Sequence, residues 1–328
     1  VKAAVVDDHH HLEVVELPDP TPEAGELVLR VRACGICGSD LKLVETMPAG
    51  LVMGHEFCGV VAATGPDIGT DWREGQLVAA LPLVSCGQCR WCAVGEPTHC
   101  ATVDRVGVGG SSGAFAEYVR VDASQVVALR EDLGEHGALV EPLAVGLHTV
   151  AFAELEPADR MLVMGAGPVG LAVTTWARRL GAGEIVVSDP SAGRREAAPT
   201  FGASAVVDPE NEELGDGFDV VFECVGAPGL ITTAAGVIRP RGRIVVAGVC
   251  LQPDTLPPGI PLMREATLRW VMYYTRAEFQ LAARLLERGD IDGDAFVTGH
   301  SPLDGIDDAF RELKGGHTAH RKLLVVPS

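Results

Sequence analysis

Up to about residue 142 the apolar positions fall in short runs broken by Gly and Pro: AAVV (3–6), LEVVELP (12–18), ELVLRVRACG (26–35) and FCGVVAATG (57–65). Runs of that length and punctuation predict β-strands. DDHHH, at 7–11, falls where a hairpin turn would join the first two runs. Three adjacent histidines on one tight turn splay apart, so a solvated turn is expected there rather than a metal site.

From about 143 to 272 the pattern changes. RMLVMGAG (160–167) and EIVVSD (184–189) are continuous apolar runs, with the helically spaced PVGLAVTTWARRLGA (168–182) between them. DVVFECVG (219–226) and GRIVVAGV (242–249) continue the series. Buried strands alternating with helices predict an α/β unit, a parallel sheet covered on both faces. In TRAEFQLAARLLERG (275–289), Thr275 and Glu278 match a capping box and Gly289 a helix stop. AHRKLLVVPS (319–328) ends on a strand, and no repeat or low-complexity linker interrupts the chain.

The 328 residues suit two domains, and the 47% of apolar residues suffices for full cores. With 26 Lys and Arg against 45 Asp and Glu, the formal charge is −19, which disfavours nucleic acid and anionic membrane surfaces as partners. The longest charge-free apolar stretch, MLVMGAGPVGLAVTTWA (161–177), is short for a membrane span, and its three glycines and one proline suit a strand–turn–helix instead. The opening residues carry no apolar signal core, so the expected location is the cytoplasm. Clustered cysteines there bind metal more often than they form disulfides.

That strand–turn–helix carries the first candidate chemistry. Gly165, Gly167 and Gly170 form GxGxxG, with Pro168 and Val169 before the last glycine. The first two glycines permit a tight turn and close approach of backbone to a pyrophosphate, and the third lets helix and strand pack closely. The next strand ends at Asp189, whose carboxylate suits the ribose hydroxyls and repels a 2′-phosphate, so NAD is expected over NADP. Arg194 and Arg195 keep NADP open, because a guanidinium could pair with the extra phosphate. They fit exposed helix charges equally well.

Cys86, Cys89, Cys92 and Cys100 have the spacing C-x2-C-x2-C-x7-C. Loops that short can bring four thiolates around one zinc ion, a closed and therefore structural site. An iron–sulfur cluster is the alternative, but the spacing departs from common ferredoxin patterns. Upstream, CGICGSDLK supplies Cys34, Cys37, Ser39, Asp40 and Lys42, and GHEFC supplies His55, Glu56 and Cys58. Cys34, Cys37, His55 and Cys58 could close around an inert zinc. Alternatively a thiolate, an imidazole and a carboxylate hold a catalytic one with a position open for substrate. Pattern alone leaves both standing.

CGICGSD, GHE, the four-cysteine run, GAFAEYV, EPLAVGLHT and GAGPVG occur here in the order found in the zinc-dependent medium-chain dehydrogenase/reductases. The chain resembles their polyol, threonine and secondary-alcohol dehydrogenase branch over nearly its whole length. The resemblance implies a GroES-like catalytic domain at 1–142, to which 273–328 returns, and a Rossmann domain at 143–272, with the substrate cleft between them. It matches Cys37 and His55 to catalytic zinc ligands, and Glu56 to the glutamate that approaches or replaces the third ligand. Glu141 takes the position of that third ligand, held by glutamate in this branch. Cys34 and Cys58 are left as small core residues. Ser39 matches the hydroxyl that relays the substrate's proton to the cofactor ribose. Many relatives carry the outer relay histidine where this chain has Lys42, and the short spacing from Cys37 to His55 implies a trimmed loop. The expectation is therefore two zinc ions per chain, NAD, reversible oxidation of a small secondary alcohol or polyol to a ketone, and a homodimer or homotetramer.

Overall fold

The protein is described by a computed structural model covering residues 1–69, 71–315 and 318–327. It divides into two compact units. One comprises residues 1–141, 274–315 and 322–327, and the other 142–273 and 318–321.

The first unit is built on a seven-stranded sheet. Its path runs Val297–Pro302, Lys322–Val326, Glu26–Gly35, Glu56–Thr64, Leu77–Ala80 and Val126–Ala128, and Tyr118–Asp122 also pairs with Glu26–Gly35. Glu26–Gly35 is antiparallel to both neighbours on the path, with Gly35 opposite Glu56 on one side and Leu324 on the other. Its apolar residues Leu27, Leu29 and Val31 join Phe57, Val61, Phe115 and Phe310 in one core. The Phe115 and Phe310 rings meet edge to face at 5.8 Å, a favoured aromatic geometry. The first two strands, Lys2–Val6 and Leu12–Glu16, form a hairpin, and DDHHH is its turn. The Asp7 Oδ1 accepts the His9 and His11 amides at 2.7 and 2.8 Å, so side chain and backbone close the turn together. Thr275 and Glu278 form the expected capping box on the helix Arg276–Glu287, and Gly289 follows with φ 70°.

The second unit holds a six-stranded parallel sheet in the order Ala205–Val207, Ile185–Ser188, Met161–Met164, Phe218–Glu223, Ile238–Val246 and Thr267–Trp270. Chain order reverses at Met161–Met164. In open parallel sheets a ligand crevice forms at that reversal, outside the carboxyl ends of the strands. The short segment 318–321 packs with this unit rather than with the strand that follows it. Its carbonyls explain the departure from the expected boundary. Thr318 O accepts the Ser191 hydroxyl at 3.1 Å, and His320 O accepts Arg194 Nε at 3.0 Å. Among the described residues, no helix is long and apolar enough to cross a membrane.

Candidate active site and metal centres

In the second unit the glycine turn leads from Met161–Met164 into the helix Pro168–Arg179. The protein's own packing requires Gly170, since a Cβ there would collide with the Gly165 carbonyl. Gly167 differs: a Cβ would meet nothing within 4 Å. The space beside the helix N-terminus is thus left clear at the point where a pyrophosphate would approach. Pro168 opens the helix and Val169 follows it. Asp189 is buried, and its carboxylate spans the turn, accepting Ala166 N–H through Oδ2 and Ser191 N–H through Oδ1, both at 2.8 Å. Arg194 is tied to the His320 carbonyl, and Arg195 pairs with Asp208 at 2.8 Å while bonding the Asp189 and Pro190 carbonyls.

Among the described residues, two groups of metal-donor side chains converge, and both lie in the first unit. One is Cys86, Cys89, Cys92 and Cys100, whose donor atoms lie within 4.8 Å of one another. Cys89 Sγ is 3.5 Å and Cys86 Sγ 4.0 Å from Cys92 Sγ. Four thiolates around one tetrahedral zinc sit about 3.8 Å apart, given Zn–S near 2.3 Å, so the lobe is close to the size of a single ion. Backbone N–H of Cys86, with the hydroxyl and amide of Thr102, holds the Cys100 thiol down at about 6, which favours the thiolate a metal needs.

The other group is Cys37, His55 and Glu56, again within 4.8 Å. Cys37 is the N-cap of the helix Gly38–Leu43, and Asp40, three residues on, returns Oδ2 to the Cys37 amide at 2.9 Å. The other Asp40 oxygen lies 3.2 Å from His55 Nδ1. The two atoms form an ion-pair contact without a completed hydrogen bond; a carboxylate facing Nδ1 favours the proton there, which would leave Nε2 for a metal. Burial alone would lower the His55 pKa, but Asp40, with Cys37 beside it, outweighs burial and holds it well above the usual range. Glu56 begins the strand Glu56–Thr64 and is buried. Its Oε2 accepts a hydrogen bond from the buried Lys322, whereas Oε1 is buried with no protein partner. A buried carboxylate oxygen left unpaired is costly unless something else binds it. The arrangement therefore fits a cation.

Glu141 lies outside that tight trio but close by. It is buried, and burial, reinforced by the Glu56 charge, pushes its carboxyl up to about 7 against the opposing pull of His55, Lys322 and the Tyr274 hydroxyl. For Lys322, burial works downward, and the Glu56 and Cys37 charges more than reverse it. Ser39 and Lys42 are half-buried on the helix Gly38–Leu43, Lys42 in its last turn. Cys34 and Cys58 are fully buried core residues, and burial pushes the Cys58 thiol up to about 12, so neither behaves as a ready ligand.

Asp40, Lys322 and Tyr274 are site residues that sequence reasoning did not assign a role. Asp40 was within reach, because an acid three residues after a helix-capping Cys37 is a capping signal. Nothing local marks Lys322 or Tyr274.

A parallel sheet with a glycine turn in one unit, and both a Cys–His–Glu cluster and a separate four-cysteine lobe in the other, define a metal-dependent oxidoreductase. The alcohol dehydrogenase GroES-like domain family matches residues 23–131, and the zinc-binding dehydrogenase family matches 168–288. Sorbitol dehydrogenase of Bacillus subtilis (strain 168) is 29% identical over 347 aligned positions, covering 100% of this chain and 98% of that protein. The 2-dehydro-3-deoxy-L-galactonate 5-dehydrogenase of Pseudoalteromonas atlantica is 32% identical, covering 95% and 94%. The crystal structure of a zinc-binding dehydrogenase from Sinorhizobium meliloti 1021, bound to NADP, superposes with a TM-score of 0.90 at 29% identity, covering 99% of each chain. The chain belongs to the zinc-dependent medium-chain dehydrogenase/reductases, in their polyol and secondary-alcohol dehydrogenase branch.

Proposed function

We propose that the protein oxidises a polyol or secondary alcohol reversibly to a ketone with NAD, using a catalytic zinc held by Cys37, His55 and Glu56 with Glu141 in reserve. The convergence of Cys37, His55 and Glu56, with Glu56 Oε1 buried and unpartnered, carries this reading. Bound zinc would act as a Lewis acid that makes an alcohol hydroxyl acidic, and the nicotinamide would accept the hydride. Asp40 fixes the His55 tautomer and caps the helix that presents Cys37. Ser39, two residues after Cys37, accepts the hydroxyl proton. Lys42, in the last turn of the helix Gly38–Leu43, serves as a fixed cation for the bound cofactor. Gly165, Gly167, Pro168, Val169 and Gly170 receive the pyrophosphate.

NAD is favoured over NADP because the Asp189 carboxylate is fixed at the glycine turn by Ala166 N–H, where a 2′-phosphate would meet its charge. The NADP-bound relative shows that this family also admits the phosphorylated cofactor. A second zinc in the four-cysteine lobe is structural, and the single-ion spacing of its sulfurs supports zinc over an iron–sulfur cluster. The edge strand Thr267–Trp270, flanked by exposed Leu262, Met263 and Met272, supports homo-oligomers formed through that edge. The cytoplasm is the expected compartment, since nine cysteines are free and four of them gather as thiol ligands.

The test is a panel of polyols, diols, sugars and amino alcohols with NAD and with NADP, read as reduced cofactor, on protein of measured metal content. The expected result is turnover of one or more polyols with NAD, lost on chelation. Iron in place of zinc would overturn the metal reading, and a preference for NADP the reading of Asp189.

A further inference from the structure

Lys322 enters the site from far along the chain, and family membership alone gives it no role. It is fully buried, its ammonium donating to Glu56 Oε2 and, at 3.0 Å, to the Ile36 carbonyl. Its position is fixed by three strand ends. Lys322 opens the strand Lys322–Val326, whose Leu324 pairs with Gly35 at the end of Glu26–Gly35. Gly35 pairs on its other side with Glu56. Ile36 N–H closes the corner on the Leu323 carbonyl at 3.0 Å. The ion pair occupies the space over Gly35: a Cβ there would collide with Glu56 Oε2 and lie 3.2 Å from Lys322 Cδ. So the lysine, the glutamate and the bare glycine between them form one built unit.

A buried ion pair is weak as a stabilising device, because desolvation of both charges consumes most of the attraction. The asymmetry of the pair is more informative. One Glu56 oxygen is taken by the cation, the other is buried with no protein partner, and the carboxylate as a whole belongs to the Cys37–His55 donor cluster. We infer that Lys322 is a positioning residue that tethers Glu56 by Oε2 and so limits it to one-oxygen contact with the ion at Cys37 and His55. The inference rests on the zinc reading above. A carboxylate can close on a metal through one oxygen or two, and a four-coordinate catalytic zinc must keep a position for substrate. With the tether cut, Oε2 loses its cation, and Glu56 closes on the ion with both oxygens.

The test compares Lys322→Met, Lys322→Arg, Glu56→Gln and the Glu56→Gln/Lys322→Met double variant. Two readouts are used: release of zinc from the Cys37 site to a chromophoric chelator, and the visible spectrum after cobalt(II) substitution. The expected result for Lys322→Met is release slowed by about tenfold or more, with weaker cobalt bands of higher coordination number. Lys322→Arg should restore both. Simple damage to the fold would speed release rather than slow it. Lys322→Met leaves Glu56 without its cation and could fail to fold. The double variant has no such charge, and relative to Glu56→Gln alone it should show neither change. Wild-type release and spectrum in folded Lys322→Met, faster release, or a shift that persists in the double variant would overturn the tether. If Cys37→Ser binds as much metal as the parent chain, the zinc reading falls, and the tether with it.

Discussion

Replacing Asp40 with asparagine tests the one carboxylate that supports two donors of the metal cluster at once. Asp40 is fully buried, with Oδ2 on Cys37 N–H at 2.9 Å and Oδ1 3.2 Å from His55 Nδ1. Asparagine has nearly the same shape, but one of its two ends donates. If its oxygen stays on Cys37 N–H, its NH2 faces Nδ1. The imidazole then keeps the contact only by moving its proton to Nε2, which removes the lone pair a metal requires. If the amide turns over, two N–H groups face each other at Cys37 and the helix loses its cap. In either orientation one interaction of the carboxylate charge is lost, the ion-pair contact to His55 or the hydrogen bond from Cys37, worth about 1.5–3 kcal/mol. At about 1.4 kcal/mol per factor of ten, zinc affinity at this site should fall roughly 10–100-fold, the range typical for partners of metal ligands. The assay is equilibrium competition with a chromophoric chelator, following the more labile ion, with a thermal melt to confirm that the variant is folded. An affinity within twofold of wild type in a folded Asp40→Asn protein would refute the reasoning.

On the proposed reading of two zinc ions per chain, Cys100→Ser should leave one and lower the melting temperature, because a closed four-thiolate site contributes folding energy. Elemental analysis that still finds two ions would count against a structural zinc there. Trp270→Glu places a charge on an exposed residue of the edge strand, which follows the exposed Leu262 and Met263 in the chain. Loss of an aromatic anchor worth about 2 kcal/mol should weaken self-association by at least ~30-fold, seen as monomer by sedimentation velocity. An unchanged assembly would rule out pairing through this edge.

What could be read in the sequence was what is local in it. The four cysteines of the lobe span fifteen positions, the glycine turn six, and the Thr275–Glu278 capping box four, so spacing alone conveys their geometry. The alternating runs also marked which stretch forms the parallel sheet, because buried strands there are continuously apolar. Asp40 was legible in principle but was passed over, since a capping acid and a metal-supporting acid look the same in one dimension. Lys322 was not legible. It lies 266 positions from Glu56, and what joins them is strand register through Gly35, which no local pattern encodes. Segment 318–321 went to the other unit for a similar reason, being held by two carbonyls that accept bonds from Ser191 and Arg194. Whether Cys34 and Cys58 were ligands or core was also undecidable from spacing. Burial of both thiols, neither of which belongs to the group of donor atoms that converge within 4.8 Å, separates them from Cys37.

The chain order of the metal cluster bears on how the protein matures. Cys37, His55, Glu56 and Glu141 are synthesised before any of the parallel-sheet unit, whereas Tyr274 and Lys322 follow it. Until residues 322–325 have left the ribosome, the strand Glu26–Gly35 lacks its second neighbour at Cys34 and Gly35, and Glu56 lacks its cation. A nascent chain therefore presents the cluster's donors early but with an open flank and an uncompensated carboxylate. The cluster whose donors precede the parallel-sheet unit is thus completed only after that unit has been made, and a metal captured before that point would meet a different environment from one acquired after it.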